Sequence, residues 1–127
     1  ALVLAVAGGA ALWLRRPAAA TGPAVTVAVA PFNALHPDLA LWREGLVDLL
    51  ARNLDGAGPL RAVAPAVAIR GFGAQKADRQ TARALAVRTA ARYAVFGSVT
   101  PAAGGAVRLV VSLLDAQTDS VRTTELV

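Results

Sequence analysis

The sequence predicts an α/β domain, a mixed sheet of about five strands in the order β-α-β-α-β-β-β with helices packed on it. Three observations lead there. Val25 to Phe32, VTVAVAPF, is an almost unbroken apolar and β-branched run, as in a strand covered on both faces. A helical stretch and then a second short apolar run come next, the strand–helix–strand order that favours parallel pairing with a right-handed crossover. Turn signals then divide the C-terminal third into hairpin strands, which add antiparallel partners.

Ahead of this domain, Ala1 to Leu14, ALVLAVAGGAALWL, is apolar throughout and ends at Arg15-Arg16-Pro17. A membrane-spanning helix needs about 20 such residues. The chain carries no Met and opens inside the run, so residues 1–16 are expected to be part of a transmembrane helix in a longer protein. Leu12, Trp13 and Leu14 form its apolar end, with Trp13 at interface depth and Arg15 and Arg16 at the headgroups. Two other readings stand beside it. Ala18-Ala19-Ala20 resembles a signal-peptide cleavage site, although the Arg pair interrupts the segment that should stay uncharged. The run is also compatible with a buried helix of the domain. Taken alone, Arg15 and Arg16 would place the α/β domain in the cytoplasm, but the orientation rule weighs both flanks. Residues 17–24 read as a linker, with Pro17 and Pro23 among small residues.

Pro31 ends the first strand because it has no N–H to donate. Asn33 to Pro37 is a loop, and Asp38 is expected to cap a helix over 39–54. Leu39, Trp42, Leu46, Leu49, Leu50 and Asn53 should make its buried stripe. Gly56, Gly58 and Pro59 stop it. Leu60 to Ala64 is the second strand. Ala66 to Phe72 reads as a helical turn or an irregular crossing, and Gly71-Phe72-Gly73 as a loop. Asp78 precedes a second helix, 79–89, with Ala82, Leu85 and Ala86 inward. Arg92 to Thr100 is the third strand, Pro101 to Gly105 its hairpin turn, and Ala106 to Leu114 the fourth. Gly104 and Gly105 are free to take positive φ in that turn. Val121 to Val127 is the fifth strand, with the polar alternation of an edge.

These residues resemble the TolB-like N-terminal domain, the group that also contains FlgO-type proteins. Val27 to Phe32 followed by Asn33 is similar to the family's opening strand, and Gly45-Leu46 with Asp48 and Leu50 to its first helix. Leu60 to Ala64 is similar to its second strand, and Ala82 to Leu85 leading into Arg92 to Val99 to its most recognisable segment. Arg108 to Ala116 with Thr118 is similar to its final hairpin. In departure from the family, Ala86 stands where a Gly is usual, and Arg88 to Ala91 are extra before Arg92. The resemblance covers about residues 25–127 and implies a small α/β module without catalytic residues, used for interaction or sensing in envelope or membrane-tethered bacterial proteins. It also implies a cell-membrane, single-pass setting with the soluble domain outside the cytoplasm. Two contexts go with it: a domain beyond the transmembrane helix of a serine/threonine kinase or ahead of tetratricopeptide repeats, and an envelope assembly factor of FlgO or TolB type.

Charge and composition narrow the chemistry. Lys and Arg number 13 against 8 Asp and Glu, for a net charge of +5. The arginines are scattered and few aromatics lie among them, so no stacking platform for nucleic acid is visible and none is expected as a partner. Without Cys there is no disulfide, thiolate metal site or Cys nucleophile. His36 is the single His and lacks the company a metal site needs. Asp38, Asp48 and Asp55 fall on a cap, a helix face and a helix end. Gly71-Phe72-Gly73 lacks the third glycine of a phosphate loop, and Gly97-Ser98-Val99 is not a nucleophile elbow. Gly97 is expected to mark a bulge or the close approach of another backbone. No enzyme activity and no cofactor are expected of this chain.

Two surfaces remain for a protein partner or small ligand. Ligands of open α/β sheets sit beyond the carboxyl ends of the parallel strands, a rim that should include Phe32, Asn33, His36 and the loop from Pro65. The edge strand, with Val121, Thr123 and Thr124, is the alternative, by pairing with a partner's strand.

Overall fold

The structure, a computed structural model, describes residues 24–126 of the chain. The expected transmembrane segment (Leu12, Trp13, Leu14, Arg15 and Arg16 with it) and nearly all of the linker lie outside the described residues. Among those described, no helix is long and apolar enough to cross a membrane.

The strands are β1 (Val25–Val29), β2 (Asn33–Ala34), β3 (Leu60–Ala62), β4 (Tyr93–Pro101), β5 (Val107–Asp115) and β6 (Ser120–Leu126). The α-helices are α1 (Trp42–Leu54), α2 (Pro65–Phe72) and α3 (Arg79–Arg88), with short 3-10 turns at Pro37–Leu39 and Ala103–Gly105. The sheet runs β3-β1-β4-β5-β6, with β2 also paired to β4. β1 is parallel to β3 and to the first half of β4, and β2 continues it by pairing Asn33 with Ser98 and Ala34 with Val99. β5 and β6 are antiparallel additions, joined through the expected hairpins. The mixed α/β sheet is therefore present, with one strand and one helix more than the sequence pattern predicts.

The alternation in β1 and β4 decides which helix covers which face. Val27, Val29, Val95 and Val99 point to one side and pack with Leu46, Val47, Leu50, Ala51 and Leu54 of α1. Ala28, Ala30, Ala94 and Phe96 point to the other and meet Ala82, Leu85 and Ala86 of α3. The small side chains let α3 lie close, and Phe72 of α2 fills the space that alanines leave. A Leu buried in this way stabilises the fold by roughly 1.5–3 kcal/mol.

Three local expectations are corrected. Asp38 does not cap α1: it lies in the 3-10 turn, where His36 Nδ1 accepts the Asp38 N–H at 3.1 Å. The helix proper starts at Trp42 after Leu41, which gives no side-chain cap. That extra turn shifts the helical phase, so the buried stripe is Leu46, Val47, Leu50, Ala51 and Leu54, while Trp42 and Leu49 are each 38% exposed. Gly71-Phe72-Gly73 is not a loop but the end of α2, with Phe72 buried.

α3 fits its prediction. Asp78 caps it, accepting the Thr81 N–H at 2.8 Å while Thr81 Oγ1 accepts the Asp78 N–H at 2.8 Å. At its other end Ala90 takes a left-handed φ of 56° and Ala91 N–H reaches back to the Ala86 carbonyl. Ala90 thus does the work usually given to a glycine at a helix end.

Gly97 stands in unbroken register opposite Val111, so it marks a close approach and not a bulge. A Cβ there would run into the Val110 carbonyl and come within 3.0 Å of the Phe32 ring. Gly97→Ala is expected to lower unfolding stability by about 3 kcal/mol, since backbone cannot yield as a flexible side chain does. Urea unfolding of the variant beside the parent chain measures this.

Candidate functional site

The rim begins where β1 breaks at Pro31. Phe32 is fully buried on Gly97, which brings the chain back to β4 as β2. Asn33 then closes the gap to the far loop. Its Nδ2 donates to the Ala77 carbonyl at 2.7 Å and its Oδ1 accepts the Ala77 N–H at 2.8 Å. The side-chain amide thereby imitates one rung of a strand ladder, and Ala77 is 5% exposed. On the same side, Arg43 Nη2 donates to the carbonyls of Gly73 at 2.9 Å and Gln75 at 3.1 Å. The loop between α2 and α3 is thus held against the start of α1.

Between these ties lies an open groove of ≈ 390 Å³ lined by Asn33, Ala34, Leu35, Ala40, Arg43, Ala74, Gln75 and Lys76. Of the rim residues expected from the sequence, Asn33 lines this groove. Phe32 belongs to the core beneath it, and His36 sits outside, capping the 3-10 turn. The loop that meets β2 is 73–77, not the segment directly after Pro65, which forms α2. No sequence signal marked Ala77 as the partner of Asn33, because the contact joins residues 44 positions apart.

At the other end of the sheet, β6 pairs only with β5. Val121 is 37% exposed and Thr123 is exposed, with Thr124 half-buried. Thr123 Oγ1 meets Ser112 Oγ at 2.9 Å, and Glu125 pairs with Arg108 at 3.3 Å. The β5–β6 turn is held from α3. Arg79 and Arg83 reach the two carboxylate oxygens of Asp119 at 2.8 and 3.0 Å. Asp119 has a left-handed φ of 59°, which a short polar side chain tolerates.

No cluster of three or more His, Cys, Asp or Glu side chains able to hold a metal occurs among the described residues. The Asp78 carboxylate, 3.1 Å from Thr81 Oγ1, is taken up in the cap of α3. The described surface offers a groove with two cationic side chains, Arg43 and Lys76, and a strand, β6, paired on one edge only.

No protein-family model matches the chain, and no curated protein matches it. Solved structures do. The LpoB C-terminal domain from Escherichia coli is 16% identical with a TM-score of 0.63, over 98% of this chain and 93% of that one. The same domain from Salmonella enterica gives 16% and 0.62 over the same shares. TolB from Acinetobacter baumannii is 18% identical with a TM-score of 0.52, over 87% of this chain and 24% of TolB. At these identities the likeness shows the fold: this chain has the fold of the LpoB C-terminal domain and of a part of TolB. The expected TolB-like architecture is met to that extent. The kinase and tetratricopeptide-repeat settings find no support in these matches.

Asn33→Ala leaves the buried Ala77 N–H and C=O unpaired and is expected to cost about 2–4 kcal/mol, read by urea unfolding. A second outcome concerns pH. For Asp119, desolvation pushes the carboxyl up, but the Arg79 and Arg83 guanidiniums outweigh it and hold it below its ordinary 3.8. A lowered carboxyl stabilises the fold above the ordinary value, and that contribution is lost as pH falls through the lowered one. Asp119→Asn keeps the backbone conformation accessible. It should lower Tm at neutral pH and flatten the loss of Tm below about pH 4, with Asp78, also held low by the Thr81 N–H, supplying the residual slope.

Proposed function

We propose that this chain is a non-catalytic protein-binding module of the bacterial cell envelope, an assembly or structural factor held at the membrane by residues 1–16. The support is the end-to-end likeness to the LpoB C-terminal domain, joined to the sequence resemblance to TolB-like N-terminal domains. The surfaces on offer are those of a binder: the groove beside β2 and the free edge of β6. In this reading the domain is extracytoplasmic and acts by holding a protein partner. A sensory domain attached to a serine/threonine kinase is the finer alternative that the resemblance allows, and no feature of the fold favours it.

Val25 enters the sheet at the amino end of β1, and the groove lies past Ala34 at the opposite end. By the register on β4, at ~3.3 Å per residue, the two are separated by about 25 Å. In this reading the groove lies at the end of the sheet opposite the point where the chain enters it.

An alkaline phosphatase fused after Val127, active only outside the cytoplasm, tests the location, and photo-crosslinkers at Leu35 and Val121 in intact cells test the binding. An active fusion and a discrete protein adduct from one of the two positions are expected. An inactive fusion, or no adduct from either position, contradicts the reading.

A further inference from the structure

Groove and strand edge meet at Ala34. Leu35 N–H donates to the Val99 carbonyl on β4. Backbone groups alternate sides along a strand, so the N–H and C=O of Ala34 face away from β4, toward the groove. β2 therefore carries a one-residue open edge inside a recess, sheltered at one end by the Asn33–Ala77 amide pair.

The walls of that recess are of one sign. Among its lining residues are two cations, Arg43 and Lys76, and no carboxylate. Lys76 enters no ion pair among the described residues, and it is exposed. Arg43 spends its Nη2 on Gly73 and Gln75, which leaves the Nη1 and Nε donors of its guanidinium fork. The remaining lining is small or apolar: Ala34, Leu35, Ala40 and Ala74. Leu35 is 59% exposed at the mouth and Leu41, close by on the chain, is 89% exposed.

Backbone donors and acceptors select an extended chain, the apolar floor accepts alternate side chains, and the cations select acidic ones between them. A volume of ≈ 390 Å³ suits a few residues of peptide and lies within the usual range for ligand sites. We infer that the groove beside β2 takes an extended acidic segment of a protein partner, laid along Ala34 with its carboxylates against Lys76 and Arg43. The inference rests on the protein-binding reading and gives that reading a chemistry.

The test is a titration of the ¹⁵N-labelled 127-residue chain, kept in solution with a non-ionic detergent, followed by amide shifts. The probes are acetylated, amidated peptides of sequence Val-Glu-Val-Glu and Val-Gln-Val-Gln. The acidic peptide is expected to shift the amides of Ala34, Leu35 and Lys76 and to slow hydrogen exchange at Ala34. The Gln peptide should bind about tenfold or more weakly, and Lys76→Glu should weaken the acidic peptide by a similar factor. The Lys76 side chain is in no hydrogen bond among the described residues, but its charge acts on the Asp78 cap, so Lys76→Gln, which sets no carboxylate beside that cap, is measured with it and should weaken the acidic peptide in the same direction. Equal binding of both peptides, indifference to Lys76→Glu, or no shift at Ala34 overturns the inference. Shifts confined to β6 also overturn it while leaving the protein-binding reading intact. Loss of every crosslink in cells would instead remove that reading itself.

Discussion

The contact between Phe32 and Gly97 sets the course of the chain through the whole rim. Pro31 cannot continue the β1 ladder, and the chain must leave β4 or return to it. It returns because a position without a side chain receives the Phe32 ring, beside the Val110 carbonyl of β5. From that point β2 follows, then the Asn33 clamp on Ala77, then the groove. One glycine in β4 therefore acts on three elements that come from distant parts of the sequence. β4 tolerates it because β1 and β2 on one side and β5 on the other keep the strand paired along its length.

Four arginines act as ties. Arg79 and Arg83 hold the β5–β6 turn, Arg43 holds the loop before α3, and Arg88 donates to the Gly71 carbonyl at the end of α2. Arg92 reaches Asp115 at 3.5 Å and lies 5.0 Å over the Tyr93 ring. A chain rich in alanine buries little area per residue in its core, and ties of this kind fix loops that the core does not reach. Exposed pairs are individually weak, but Asp119 serves two guanidiniums at once.

Much of the fold was legible because its signals are local. The β-branched run of β1, the Asp78 cap and the glycine-bearing hairpin turn each announce themselves within a few residues. Gly97 was legible as a close approach, and the register decides between that and a bulge. The rim was legible only in position. Asn33 was a rim candidate by its place after a strand, but its bond to Ala77 depends on a fold already formed. β2 is two residues long and exists because β4 and Ala77 hold it, so no propensity marks it. The phase of α1 was misjudged because the 3-10 turn at Pro37–Leu39 moved the start of the helix, which left Trp42 and Leu49 half outside the core. The edge strand, by contrast, carried its own polar alternation.

β1 joins the two ends of the domain and is bonded to β3 on one side and β4 on the other. Tension applied between Val25 and the rim runs along its axis. Both ladders then resist in shear, with their hydrogen bonds strained together and not opened one after another as in a peeled hairpin. β6, attached along a single edge, has no such arrangement and would strip away under a sideways pull. The pairing of β1 on both edges thus gives the domain one axis along which two ladders carry load together.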